Sequence, residues 1–205
     1  MKCCEKSSGK KEAETVSRGL NSAVHLVQHF LSEAVQSGGT AVDATAGRGN
    51  DTLFLASLIG PDGRVFSFDT QGSAIKETRL LLEKAGMIDR VTLVNAGHED
   101  MEKYVTSPVD TVIFNLGYLP GGDHLYVTRP ETTGRALESA LRLLRPGGRV
   151  GLVIYTGHPG GAEECTAVES TAASLDGALF NVIKIVVLNR AASAPVVIVI
   201  EKAGV

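Results

Sequence analysis

Short apolar runs separated by stretches of helical length leave few folds open to this chain. Thr40–Ala44, Val65–Phe68, Val91–Val94, Thr111–Phe114, Val150–Tyr155 and Phe180–Leu188 read as strands. Between them, Asp51–Leu58, Ser73–Lys84, Thr133–Leu144 and Glu163–Leu175 read as helices, and Asp100–Tyr104 as a short helical turn. A first helix precedes them over Leu20–Val35, where Leu20, Val24, Val27, Leu31 and Val35 recur at helical spacing before Gly38-Gly39 ends it. Crossovers of that length require parallel neighbours. The last strand, Val196–Ile200, follows only the polar hairpin Asn189–Ala194, short enough for an antiparallel pair. The expectation is a seven-stranded, mostly parallel α/β sheet with one antiparallel strand at its C-terminal end and helices on both faces. Residues 1–18 read as a polar extension, and 19–205 as one domain.

Charge narrows the function. The net charge is −3; residues 1–20 hold five bases and three acids, so residues 21–205 carry 15 bases against 20 acids, or −5. That balance argues against a protein held to nucleic acid by bulk charge, while leaving room for one that reads a small RNA element through a local patch. No window of 18 apolar residues suggests a membrane span. The three cysteines are too few and too badly spaced for a disulfide scaffold or a zinc knuckle. His25 and His29, four apart on the first helix, have no cysteine or acid partner at ligand spacing, so they read as packing residues and no metal is assigned. A reducing compartment follows, the cytoplasm or, for a trimmed organelle precursor, a chloroplast or other organelle.

In an open α/β sheet, ligands bind beyond the carboxyl ends of the strands. Asp43, Asp69, His98, Asn115 and Tyr155 all stand at such ends. After the first strand comes Asp43-Ala44-Thr45-Ala46-Gly47-Arg48-Gly49-Asn50-Asp51, whose glycines permit a tight turn and a close ligand. A dinucleotide fingerprint would need a third glycine where Thr52 stands, and Asp51 would repel a pyrophosphate; no Walker lysine follows either. Asp69, 22 residues beyond Gly47, is placed to accept both hydroxyls of a ribose. Acids around a glycine turn without a phosphate binder favour a cationic nucleoside, and S-adenosylmethionine is the leading ligand. His98 and Glu99 follow the third strand, where such folds line an adenine pocket. The run Asn115-Leu116-Gly117-Tyr118-Leu119-Pro120-Gly121-Gly122-Asp123-His124 begins at the end of the fourth strand. There Asn115 can accept from a substrate amine, Tyr118 can stack on a base, and Asp123 or His124 can take a proton. Thr132 and Thr133 can cap the next helix. Tyr155-Thr156-Gly157-His158-Pro159-Gly160-Gly161 forms an opposite rim, and Arg129, Arg135 and Arg190 are scattered basic candidates for RNA contacts.

The segments DATAGRGNDTLFLA (Asp43–Ala56), FDTQ (Phe68–Gln71), GHE (Gly97–Glu99), NLGYLPGGD (Asn115–Asp123), YTGHPGG (Tyr155–Gly161) and IEK (Ile200–Lys202) together resemble the rRNA-methylase-like group assigned as tRNA 5-aminomethyl-2-thiouridine methyltransferases. The resemblance runs from about Leu20 to Lys202. It implies a Rossmann-like class I fold and S-adenosylmethionine-dependent methylation of the exocyclic amine of 5-aminomethyl-2-thiouridine at the tRNA wobble position. By that resemblance, Asp43, Thr45, Gly47, Gly49, Asn50 and Asp51 hold the methionine end of the cofactor. Asp69 and Gln71 hold its ribose side, with His98 and Glu99 near adenine and Asn115 near the reacting methyl. Asn115, Tyr118 and Asp123 are the expected catalytic residues. Leu116, Gly117, Tyr118, Gly122, His124, Thr133, Tyr155 and His158 are the expected substrate contacts. The implied partner is a tRNA anticodon loop, met by a compact site that a homodimer would complete. Arg48 stands where the family commonly has Asn, and Asn50 where it has His; Arg48 is expected to project away from a sulfonium.

Other readings stay open on sequence. A methyltransferase of the same fold could act on ribosomal RNA or a small amine, an inactive module could keep the cofactor fold, and a dinucleotide oxidoreductase is disfavoured by Asp51.

Overall fold

The computed structural model describes residues 22–117, 127–191 and 193–204. Seven strands form one sheet: β1 (Thr40–Asp43), β2 (Arg64–Phe68), β3 (Val91–Val94), β4 (Val109–Leu116), β5 (Leu144–Ile154), β6 (Phe180–Ile185) and β7 (Val196–Lys202). Their order is β3-β2-β1-β4-β5-β7-β6. β7 runs antiparallel to both neighbours and every other pairing is parallel, as the connection lengths require. The chain winds outward from β1 to β3 and returns to place β4 against β1. The carboxyl ends of β1 and β4 therefore flank the crevice where the winding reverses.

Five helices cover the sheet: α1 (Ala23–Ser32), α2 (Asn50–Ile59), α3 (Gly72–Lys84), α4 (Pro130–Leu143) and α5 (Gly161–Ala173). One face packs Val27 and Leu31 of α1, Leu55 and Ile59 of α2 and Leu82 of α3 against Ala41, Val65, Ile113 and Val153. The other packs Leu137 and Leu141 of α4 and Val168 of α5 against Val42, Phe114, Leu116 and Leu152. Adjacent strand residues enter opposite cores, as the two-residue pleat demands. Helices cover both faces, so the central strands carry apolar residues on both sides, as in Val112–Phe114 of β4 and Leu152–Ile154 of β5.

Element ends depart from the expected ones where sheet pairing, rather than local composition, sets the limit. α1 begins only at Ala23, where the Ser22 hydroxyl accepts from the His25 amide at 3.3 Å. β4 reaches from Val109 to Leu116, two residues past the apolar run at each end, because β5 continues to bond it. Arg145-Pro146-Gly147-Gly148 does end α4, and it lies within the irregular start of β5. β6 stops at Ile185 instead of Leu188, so residues 186–195 form a longer connection than the expected hairpin.

Candidate active site

The loop from β1 to α2 turns at Gly47 (φ 52°) and Gly49 (φ 82°), both in the left-handed region. At Gly49 a Cβ would stand 2.8 Å from Thr78 Cγ2 of α3, so glycine is required for packing as well as for the turn. Asp43 secures the loop from behind. One of its oxygens accepts from the Thr45 amide at 3.1 Å and the other from the Thr52 hydroxyl at 2.6 Å; Thr52 also meets Ser67 at 2.8 Å. Asp43 is fully buried, and burial, reinforced by the nearby charges of Asp51 and Asp69, pushes its carboxyl well above the usual range.

This loop and the ends of β2, β4 and β5 enclose a cavity of about 880 Å³, within the range of small-molecule sites. Thr45, Gly47, Asn50 and Asp51 line it from the loop; Asp69, Gln71, His98 and Glu99 from the second and third strand ends; Asn115, Gly117, Tyr155 and His158 from the fourth and fifth. Asp69 accepts from the Gly47 amide at 2.9 Å and the Gln71 amide at 2.8 Å, one bond on each oxygen. A carboxylate has about four acceptor sites, so both oxygens can still receive a hydroxyl. His98 is buried edge-on to Phe114. Its Nδ1 lies 3.2 Å from the Ala44 carbonyl, which can only accept, so Nδ1 carries the hydrogen and Nε2 is an acceptor. Burial lowers the His98 pKa and favours this neutral ring.

Asn115 is the most constrained group. Its amide N–H donates to the Thr45 hydroxyl at 2.7 Å, and its Nδ2 donates to Asp51 at 2.5 Å. The other Asp51 oxygen accepts from Gln28 Nε2 at 2.7 Å. A carboxylate cannot donate, so the Asn115 nitrogen must be the atom turned to Asp51. Asn115 Oδ1 is left buried with no hydrogen-bond partner. On the facing rim, Tyr155 is 39% exposed, and burial together with the Asp51 charge raises its phenol pKa. Gly117 (φ 153°) allows this rim close: a Cβ there would lie 3.3 Å from Tyr155 Cβ.

Several expected contacts sit elsewhere. Leu116 is fully buried in the core opposite Asn115, because neighbouring residues of a strand face opposite ways. Thr133 is also fully buried; its hydroxyl donates to Glu164 at 2.6 Å instead of reaching a substrate. Neither Thr132 nor Thr133 caps α4, whose N-cap is Arg129; Thr132 donates back to the Arg129 carbonyl at 3.1 Å. Arg48 is exposed and borders the cavity. Asp43 and Gly49 shape the wall without lining it. Tyr118, Gly122, Asp123 and His124 lie outside the described residues.

The structure also brings in residues that no motif marked. Val24 and Arg129 line the cavity, Gln28 reaches Asp51, and Glu164 ties α4 and α5 to the rim. Thr128 donates to Glu164 at 2.6 Å and accepts from the Gly117 amide at 3.0 Å; its own amide returns a bond to the Gly117 carbonyl at 3.1 Å. Gly117 and Thr128 are thus bonded to each other twice.

S-Adenosylmethionine fits these walls. Its ribose requires paired acceptors, which Asp69 offers, and its cationic sulfur and amine require acids with no cation already on them. Among the described residues, no ion pair involves Asp43, Asp51 or Asp69.

Known proteins share the fold and much of the sequence. A methyltransferase from Streptococcus mutans solved in complex with SAH is 38% identical, with a TM-score of 0.82 over 88% of this chain and 98% of its own. An rRNA-methylase structure from Clostridium thermocellum is 46% identical, with a TM-score of 0.86 over 88% of this chain and 97% of its own. The curated tRNA (mnm(5)s(2)U34)-methyltransferase, chloroplastic, of Arabidopsis thaliana is 39% identical over 194 residues, 90% of this chain and 70% of that protein. Together with these relatives, the sheet order, the glycine loop and the acid at the end of β2 define a methyltransferase that uses S-adenosylmethionine. More narrowly, the chain belongs to the family described as "Putative rRNA methylase", whose model matches residues 65–201.

Proposed function

We propose that this enzyme methylates the exocyclic amine of 5-aminomethyl-2-thiouridine at the wobble position of tRNA, giving 5-methylaminomethyl-2-thiouridine. The observation that carries the reading is Asn115 Oδ1, a buried acceptor without a partner, on a residue that lines the cavity at the end of β4. An amine approaching a methyl group must present its lone pair along the line of attack. Accepting one amine N–H at Asn115 Oδ1 turns the lone pair away from that bond and toward the methyl. The name of the Arabidopsis relative supports this substrate over other amines.

S-Adenosylmethionine, when bound, supplies a methyl carbon activated by its sulfonium. Asp69 would accept the ribose hydroxyls, Thr45, Gly47 and Asn50 would flank the methionine end, and His98 and Glu99 would border adenine. Asp51 adds negative charge facing the cationic end. Tyr155 and His158 would form the rim over the base. Alignment by Asn115 and this rim supplies much of the rate such a transfer needs, because positioning alone can be worth several kcal/mol, roughly 7 or more in the best cases. The amine must also be neutral, and Asp123 and His124 are the proposed proton acceptors. The proposed partner is a tRNA anticodon loop. Among the described residues, no helix is long and apolar enough to cross a membrane.

The test is to incubate the protein with labelled S-adenosylmethionine and tRNA from a strain lacking the terminal wobble methylation, then digest and analyse nucleosides. Labelled 5-methylaminomethyl-2-thiouridine is the expected product. Cofactor binding without label in that tRNA would refute the assignment; label in ribosomal RNA would redirect it.

A further inference from the structure

Asn115 keeps a free acceptor only while its NH2, and not its carbonyl, is turned to Asp51. Asp51 fixes that orientation by accepting from Nδ2 at 2.5 Å. Asp51 is in turn held from outside its own helix, since Gln28 Nε2 of α1 donates to its second oxygen at 2.7 Å. Gln28 lies before the stretch matched by the family model and 23 residues from Asp51. We propose that Gln28 is a positioning residue for methyl transfer, acting through Asp51 to keep Asn115 Oδ1 turned toward the substrate amine.

The proposal rests on the amine-acceptor reading above, and its chemistry is that of an amide beside a titratable carboxyl. An ionised Asp51 only accepts, so it commands the Asn115 NH2. A protonated Asp51 can donate, which lets the amide turn over and present N–H groups where the amine needs an oxygen. Burial raises the Asp51 pKa, and the hydrogen bonds from Gln28 and Asn115 and the charge of His25 oppose that rise. The titratable groups facing Asp51 are His25 of α1, Asp43 of β1 and Tyr155 after β5. Among the described residues, Gln28 and Asn115 are the two that donate hydrogen bonds to Asp51. Removing Gln28 moves the Asp51 pKa further upward. Activity is then lost at a higher pH as the solution is acidified.

The experiment compares the full-length enzyme with Gln28→Met, which keeps side-chain length without the amide. Steady-state rates with undermethylated tRNA are measured from pH 5 to 9, with melting temperature and S-adenosylmethionine binding as controls. The expected result is a kcat lowered roughly tenfold at neutral pH, cofactor affinity within about twofold, and an acid limb moved up by about one pH unit. An unchanged kcat, or a lower kcat with the acid limb unmoved, overturns the proposal. Gln28→Asn, one methylene shorter, replaces the methionine variant if that protein does not fold. A carbon-13 titration of the Asp51 carboxyl keeps the two readings distinguishable. If the wild-type enzyme leaves this tRNA unmethylated, the substrate assignment fails. The network then stands only if the Asp51 midpoint rises in the variant, and it falls if the midpoint is unchanged.

Discussion

The two ends of the sheet handle buried acids in opposite ways. At the amino end of β4, Asp110 is 4% exposed and pairs with the Arg145 guanidinium, which also donates to the Ala34 carbonyl at 2.6 Å. Nearby, Arg149 joins Glu33 at 2.9 Å and Glu201 at 2.8 Å, binding α1 to β5 and β7. At the carboxyl end, among the described residues, Asp43, Asp51 and Asp69 accept from hydroxyl, amide and backbone N–H groups and from no cation. These hydrogen bonds hold the carboxyl groups in place without pairing them with a cation. One end is neutralised internally and holds the fold together. The other keeps negative charge for a cationic ligand, at a cost visible in the raised pKa values of Asp43 and Asp51.

That contrast predicts separable effects of substitution. Asn115→Ala should have the largest, lowering kcat about 100- to 1000-fold, as loss of a preorganised polar group in a site does, while cofactor affinity in a calorimetric titration stays within about threefold. A comparable loss of cofactor binding would mean that the amide serves the cofactor rather than the amine. At the opposite end, Asp110→Ala leaves Arg145 half-enclosed without its partner and should cost about 3 kcal/mol in urea unfolding. Its kcat per folded molecule should match wild type; a specific loss of activity would erase the division between the two ends.

Asp69→Asn should weaken S-adenosylmethionine binding about 10- to 50-fold, since one oxygen acceptor and the charge are lost. Its effect on kcat at saturating cofactor should be small. The remaining effect is in pH dependence of stability without ligand. Asp43 has a raised folded pKa, so the folded state holds a proton that the unfolded state has already released. Between the unfolded value, near 3.8, and the folded one, stability therefore falls as pH rises. Urea denaturation should show a loss of about 2 kcal/mol from pH 5 to pH 7.5, and Asp43→Asn should flatten that slope. A wild-type profile that is flat over this range would show that Asp43 ionises as easily as a surface acid.

Much of this architecture was legible because the signals are local. Apolar runs of four to six residues cannot fold as helices when glycine turns bracket them, so strand and helix alternation, the parallel sheet and the reversed β7 all followed. The gathering of Asp43, Asp69, His98 and Asn115 at one end of the sheet was readable for the same reason: each stands at or shortly after the end of an apolar run, and such ends converge in this topology. The strand limits were less readable, since β4 extends as far as β5 will pair with it.

What the linear chain determined by itself was which elements form, that their carboxyl ends gather acids and glycines, and that no phosphate binder stands among them. Those properties depend on residues within a few positions of one another. Only the tertiary structure decided which side of a strand each residue serves and which distant groups it meets. Leu116 enters the core while Asn115 faces the cavity, Thr133 turns inward to Glu164 31 positions away, and Asp51 is held between Gln28 and Asn115, 64 positions from the latter. Such partners are fixed by packing across the sheet, where separation along the chain has no bearing on separation in space.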